Sequence, residues 1–101
     1  MFFKKVPTIS AQDLENKLVE KPHIIDVREP HEFMAGHISG AKNVPLGKVN
    51  NYATKGTTYV ICQSGMRSKK ATKLLLAKEQ DVINVRGGMS GWTGAVRGGK
   101  L

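Results

Sequence analysis

Three short β-branched runs constrain what this chain can fold into: "HIIDV" (23–27), "GTTYVIC" (56–62) and "DVINV" (81–85). Apolar runs of this length, set off by Gly and Pro, read as strands buried inside a sheet rather than as helices. The stretches between them have helical spacing. Ser10 and Asp13 form a capping-box-like start to a helix that runs to about Glu20, with Leu14 and Leu18 one turn apart and Pro22 as the stop. A second helix is predicted over 68–78, where Ala71, Leu74 and Leu75 recur at intervals of three and four. Strands alternating with helices predict an α/β domain with a central, mostly parallel β-sheet flanked by helices on both faces.

The remaining elements are smaller. Pro30 and Gly36 frame a helical turn around Glu32 to Ala35, and "KNVPL" (42–46) supplies a brief strand stopped by Pro45. A polar connection follows. Near the end, Gly87-Gly88 turns the chain toward a final amphipathic piece containing Trp92, which reads as core packing.

No repeat, low-complexity tract or linker divides the 101 residues, so one domain over 1–101 is expected, and a monomer. With 40% hydrophobic and 24% charged residues the composition is that of a packed globular chain, which excludes a disordered or fibrous class. The single cysteine, Cys62, cannot form an internal disulfide, and a free thiol persists most easily in a reducing cytosol. The opening "MFFKKVPTIS" has no apolar core of a secretory leader, and no stretch reaches membrane-spanning length. A cytoplasmic protein without a membrane partner is the expectation.

Charge is unevenly placed. Residues 1–51 hold seven Lys/Arg and six Asp/Glu, whereas residues 52–101 hold nine and two, so seven of the eight excess positive charges fall in the second half. Such a field suits small anions, acidic proteins or nucleic acid. No basic motif interleaved with aromatic residues is visible, so nucleic acid is not the expected partner.

The basic half begins at Cys62. With Ile61 closing a strand and Ser68 opening a helix, "CQSGMR" (62–67) is a six-residue turn whose backbone N–H groups can point inward as an anion cradle. A sulfur at its base would be favoured as thiolate, the nucleophilic form. Cys62 is therefore the candidate nucleophile, and Gln63, Ser64, Gly65, Met66, Arg67 and Ser68 are the candidate substrate-binding residues. Gly65 permits a left-handed turn, Arg67 brings a forked cationic donor, and Ser68 can cap the helix. Lys69 and Lys70 would stand in the first helical turn, against the helix dipole, which suggests steering of an anion or docking of an acidic partner. The plain alternative is an inert cysteine at the end of a buried strand.

The motifs taken together resemble the rhodanese family of sulfurtransferases, in its small single-domain form. "IIDVREPHEFMAGHISGAKNVPL" (24–46) is similar to the family's first signature, "VICQSGMRS" (60–68) to its cysteine loop and "VRGGMSGW" (85–92) to its closing segment. The resemblance implies that Cys62 takes a sulfane sulfur from thiosulfate or a related small anionic donor. The resulting persulfide passes the outer sulfur to cyanide, a thiol or a protein acceptor, with no metal or organic cofactor. A rhodanese-like module that docks an acidic partner without turnover is the alternative. The related cell-cycle dual-specificity phosphatases place the arginine one residue later than Arg67, in a loop sized for phosphate. Asp26 and Arg28 are expected to pair in support of the site, and His37 to be a hydrogen-bonded structural histidine. His23 and His31 lie in no metal-ligand pattern. Asp26, Glu29 and Glu32 are expected to balance charge. One departure is the segment "AKEQDVINV" (77–85), which lacks the glycine that the family often places before the last strand.

Overall fold

The structure, a computed structural model, describes residues 5–99; the first four residues of the opening segment and the last two of the chain lie outside them. Five strands form one sheet: β1 (Thr8–Ser10), β2 (His23–Asp26), β3 (Lys42–Asn43), β4 (Thr58–Ile61) and β5 (Val82–Arg86). Their order is β1-β5-β4-β2-β3 and every pairing is parallel. Three α-helices accompany them, α1 (Ala11–Lys17), α2 (Pro30–Ala35) and α3 (Met66–Leu76), with 3₁₀ turns at Leu18–Glu20, Leu46–Asn51 and Gly88–Gly91.

Both faces of the sheet are covered, which is why its central strand β4 is buried along its whole length. Side chains alternate across the sheet, so Ile25, Val27, Val60, Cys62 and Val82 face one way and pack with Ala71 and Leu75 of α3 and Val49 of the second 3₁₀ turn. Ile24, Tyr59, Ile61 and Val85 face the other way and pack with Ala11 and Leu14 of α1, with Met89 and Trp92 at the margin. This alternation puts the Cys62 side chain beneath α3. The parallel arrangement gathers the carboxyl ends of β2, β4 and β5 at one edge, where ligands of such sheets collect.

Several predicted boundaries shift, each for a local reason. Helix α2 starts at Pro30 because Pro suits the first helical position and because Glu29 and Glu32 close a reciprocal capping box. Helix α3 starts at Met66, two residues before the predicted Ser68, since Gly65 takes the cap position with φ +103°. Lys69 consequently closes the first turn and Lys70 follows it. The polar connection before β4 holds a 3₁₀ turn that buries Val49. In the final piece a 3₁₀ turn ends at Gly91, and Trp92 follows it in extended backbone, packed against the core. Strand β1 was outside the sequence-based expectation, because three residues at a sheet edge carry too little apolar signal.

The missing glycine before β5 has a structural counterpart in Glu79, which adopts the left-handed conformation, φ +61°, at the end of α3. Its amide donates to the Leu76 carbonyl at 2.9 Å and that of Gln80 to the Leu75 carbonyl at 3.1 Å, so the backbone makes the turn that glycine makes more cheaply. Replacing Glu79 by Gly is expected to stabilise the fold by about 0.5–1 kcal/mol, the relieved strain outweighing the added freedom of the unfolded chain. A denaturant melt showing no gain, or a loss, would show that the turn is unstrained.

Candidate active site

Cys62 follows β4 directly, and the chain needs only Gln63, Ser64 and Gly65 to reach α3. How these residues turn is set from outside. The Met89 amide donates to the Cys62 carbonyl at 2.8 Å, and the Ser90 amide to the Gln63 carbonyl at 2.9 Å. A trans peptide carries its N–H opposite its C=O. Tying the Gln63 carbonyl to the turn after β5 therefore directs the Ser64 N–H to the other side, and this amide is among those that lower the Cys62 pKa. Gly88 makes the close approach possible: a Cβ there would run into the Cys62 carbonyl oxygen and lie 2.8 Å from the Gln63 carbonyl.

The sulfur is met by a converging set of donors. The Gly65 amide points at Sγ from 3.0 Å, and the Ser68 hydroxyl lies 3.3 Å away. The Ser68 Oγ is also 3.2 Å from the Gly65 carbonyl. In the thiol form it can donate there and accept from S–H, whereas in the thiolate form it can turn and donate to sulfur. Burial pushes the thiol pKa up, but the Ser68 hydroxyl and the amides of Ser68, Gly65 and Ser64 outweigh it and hold the pKa below the ordinary thiol value. Cys62 has 0% exposed surface, so the sulfur forms the floor of the loop, covered but surrounded by donors rather than by hydrocarbon alone.

A polar frame surrounds this floor. Asp26, fully buried, accepts from Nε and Nη2 of Arg28 at 3.0 and 2.8 Å, and from the Arg28 amide at 3.1 Å. Arg28 reaches on to the Gln63 side-chain carbonyl at 3.2 Å and the Gly36 carbonyl at 2.8 Å. The Gln63 side chain in turn donates to Ser90 Oγ at 3.2 Å, so it braces the loop instead of facing the sulfur. Asn43 donates to the Asp26 and Arg28 carbonyls, at 3.0 and 2.9 Å. His37 is buried, stacked on Phe33 with 3.7 Å between ring centres, and its Nδ1 lies 2.8 Å from the Phe33 carbonyl.

Arg67 meets Glu32 end-on, with Nη1 and Nη2 donating to the two carboxylate oxygens at 2.6 and 2.8 Å. The Arg67 guanidinium, helped by the Glu29 amide, lowers the Glu32 pKa to about 2 against the opposing effect of burial. Glu32 raises that of Arg67. Two of the five N–H donors of Arg67 are spent on this pair and three remain. The sequence offered no pointer to this partner, since residues 35 positions apart show no spacing rule. Ser68 lies inside α3 as a buried hydroxyl and caps nothing. Met66, at the start of α3, turns outward and is 80% exposed. A cleft of about 600 Å³, lined by Lys21, His23, Lys42 and Tyr52, lies at the opposite, amino ends of the strands and takes no part in this site.

Fold and site together define a parallel α/β domain whose strand-end cysteine sits in an amide-lined loop. The rhodanese-like domain model matches residues 10–95. A thiosulfate sulfurtransferase of Pseudomonas putida is 33% identical over 95 residues, covering 89% of this chain and 84% of its own. A putative sulfur carrier protein of Bacillus subtilis is 38% identical over 88% of this chain, which spans only about half, 52%, of that relative. The crystal structure of a rhodanese-like domain protein from Staphylococcus aureus superimposes with a TM-score of 0.84 at 32% identity, covering 94% of this chain and 100% of that one. The chain belongs to the rhodanese-like domain family. Its relatives include proteins named as sulfurtransferases and as a sulfur carrier.

Two outcomes test this geometry. Gly88→Ala is expected to displace the loop and destabilise the fold by about 1–3 kcal/mol, because the new methyl group meets backbone and not a flexible side chain. An unchanged melt would show that the loop is not held there. Glu32 contributes stability above its unfolded pKa, near 4.5, and loses it as pH falls through the folded value of about 2. Wild type should therefore exceed Glu32→Gln in stability near neutral pH by no more than about 1 kcal/mol, given the partial exposure of the pair. The gap should close as pH falls from 4.5 toward 2; a gap independent of pH would contradict the assignment.

Proposed function

We propose that the protein is a thiosulfate-type sulfurtransferase working through a persulfide on Cys62. The observation that carries this reading is the convergence of the Gly65 amide at 3.0 Å and the Ser68 hydroxyl at 3.3 Å on Sγ, which favours a negative sulfur. The thiolate attacks the outer sulfur of thiosulfate. The S–S bond of the donor breaks, sulfite leaves with the electron pair, and Cys62 retains the sulfur as a persulfide. An acceptor, cyanide or a thiolate, then attacks that outer sulfur and the Cys62 thiolate is released. Each stage exchanges one S–S bond for a new bond to sulfur, so no oxidant, metal or general base is required.

The same donors that hold the thiolate are in reach of the terminal sulfur, which keeps the charge stabilised between half-reactions. The free N–H groups of Arg67 orient the anionic donor, while Glu32 holds the guanidinium in place. Because Cys62 has no exposed surface, loading includes a displacement of the Gln63–Gly65 segment that admits the donor. A module that only docks an acidic partner has no need of donors aimed at sulfur.

Intact mass measurement after mixing with thiosulfate is expected to show a gain of one sulfur atom, removed by a reductant. Thiocyanate should form when cyanide is supplied, with ping-pong kinetics. Cys62→Ser should abolish both, and Arg67→Ala should lower kcat/KM for thiosulfate by about tenfold, the loss of one charge-assisted hydrogen bond. Normal turnover by the serine variant would reject the reading.

A further inference from the structure

Beside the cysteine loop the surface carries a groove that the transfer chemistry does not use. It runs between the segment leading into β1 and helix α3, past Lys5, Thr8, Lys69 and Lys73, and continues along Thr8, Lys69, Asn84 and Arg86 to Ser64, Gly65 and Gly87. A third hollow, formed by Met66, Lys69, Lys70 and Lys73, adjoins it. The charged residues lining these three hollows are five cations and no carboxylate, and among the described residues none of the five is in a salt bridge. Lys69 and Lys73 stand four residues apart on α3, a spacing at which like charges repel.

A second observation comes from inside the groove. Asn84 is only 5% exposed, lines the end nearest Gly65, and its buried Oδ1 has no hydrogen-bond partner among the described residues. A buried acceptor without a donor is costly, and a ligand that brings an N–H would satisfy it. Thiosulfate, sulfite and cyanide have none. On α3 the unpaired cations run from Lys69 to Lys73, about 6 Å of helix, and Lys5 and Arg86 line the hollows from outside that helix, so the charges are spread over several side chains and suit successive carboxylates of an extended chain. No aromatic side chain lines the three hollows, so stacked bases find no platform there. Carboxylates for the lysines, a main-chain N–H for Asn84 and an apolar contact for the exposed Met66 are all features of a polypeptide.

We infer that this groove docks an extended acidic segment of a protein that accepts sulfur from Cys62, a deepening that rests on the sulfurtransferase reading. The segment lies along α3 with its carboxylates on Lys69, Lys73 and Arg86. Its own thiolate then takes the outer sulfur from the Cys62 persulfide, breaking the S–S bond and releasing the Cys62 thiolate.

The test starts from protein already loaded by thiosulfate, so that failure to load would count against the sulfurtransferase reading and leave the groove to be judged by binding. Two short cysteine peptides, one flanked by Asp and Glu and one by Asn and Gln, serve as acceptors in single turnovers. The acidic peptide is expected to react with a kcat/KM at least about tenfold higher at low salt, the advantage disappearing at high salt and in the Lys69→Glu, Lys73→Glu double variant. Equal rates for the two peptides would overturn the proposal. Independently of turnover, the Cys62→Ser protein should bind the acidic peptide with its cysteine changed to serine, and N-methylation of one backbone amide of that peptide should weaken binding. No binding, no sensitivity to N-methylation at any position, or tighter binding of single-stranded RNA than of the peptide would each contradict it.

Discussion

Two backbone hydrogen bonds anchor the cysteine loop: Met89 to the Cys62 carbonyl and Ser90 to the Gln63 carbonyl. They join the ends of two parallel strands, β4 and β5, that the sheet has already placed side by side. With the Gln63 carbonyl drawn toward the turn after β5, the Ser64 amide is turned the opposite way, and the next amide, that of Gly65, meets the Cys62 sulfur. Gly88 has no side chain because that space is filled by the loop it holds. The chemistry of the cysteine thus depends on a segment some 25 residues away in sequence that holds the loop by its backbone.

Charge around the loop is held by pairs rather than by free ions. The buried Asp26 fixes Arg28, which steadies Gln63, while Glu32 fixes Arg67 beside the start of α3. Each carboxylate keeps a guanidinium in one place and limits the like-charge repulsion that a cluster of cations near the sulfur would otherwise create. Removing one partner of the buried Asp26–Arg28 pair would leave an uncompensated charge, a loss on the order of 3–5 kcal/mol. Beyond this frame Lys69, Lys70 and Lys73 of α3 are in no salt bridge among the described residues, and they supply three of the nine Lys/Arg in the second half of the chain.

Much of the fold was legible because buried parallel strands leave continuous apolar runs: Ile24-Ile25, Tyr59-Val60-Ile61 and the "DVINV" segment each fell within a residue or two of a real strand. The helices were legible in their apolar spacing, and α1 also in its start, where the Ser10 hydroxyl accepts from the Asp13 amide; the starts of the other two were not, since Gly65 and Glu29, not the hydroxyl-bearing Ser68, occupy the caps. Strand β1 and the 3₁₀ turn that buries Val49 are held by tertiary packing at short, weakly patterned segments, which leave no periodic signal. At the site, the loop, the Asp26–Arg28 pair and the structural role of His37 could be read from residue types and local spacing. The Arg67–Glu32 pair, the bracing role of Gln63 and the carbonyl ties to Met89 and Ser90 could not, because each joins residues brought together only by the sheet.

The account turns on negative charge being favoured at the Cys62 sulfur despite its burial. The direct measurement is the ultraviolet titration of the thiolate in the folded protein, with the unfolded chain as reference. The folded midpoint should lie below the ordinary thiol value of about 8.5, and Ser68→Ala should move it upward. A folded midpoint at or above that of the unfolded chain would mean that desolvation outweighs the loop's donors, and the account would be wrong.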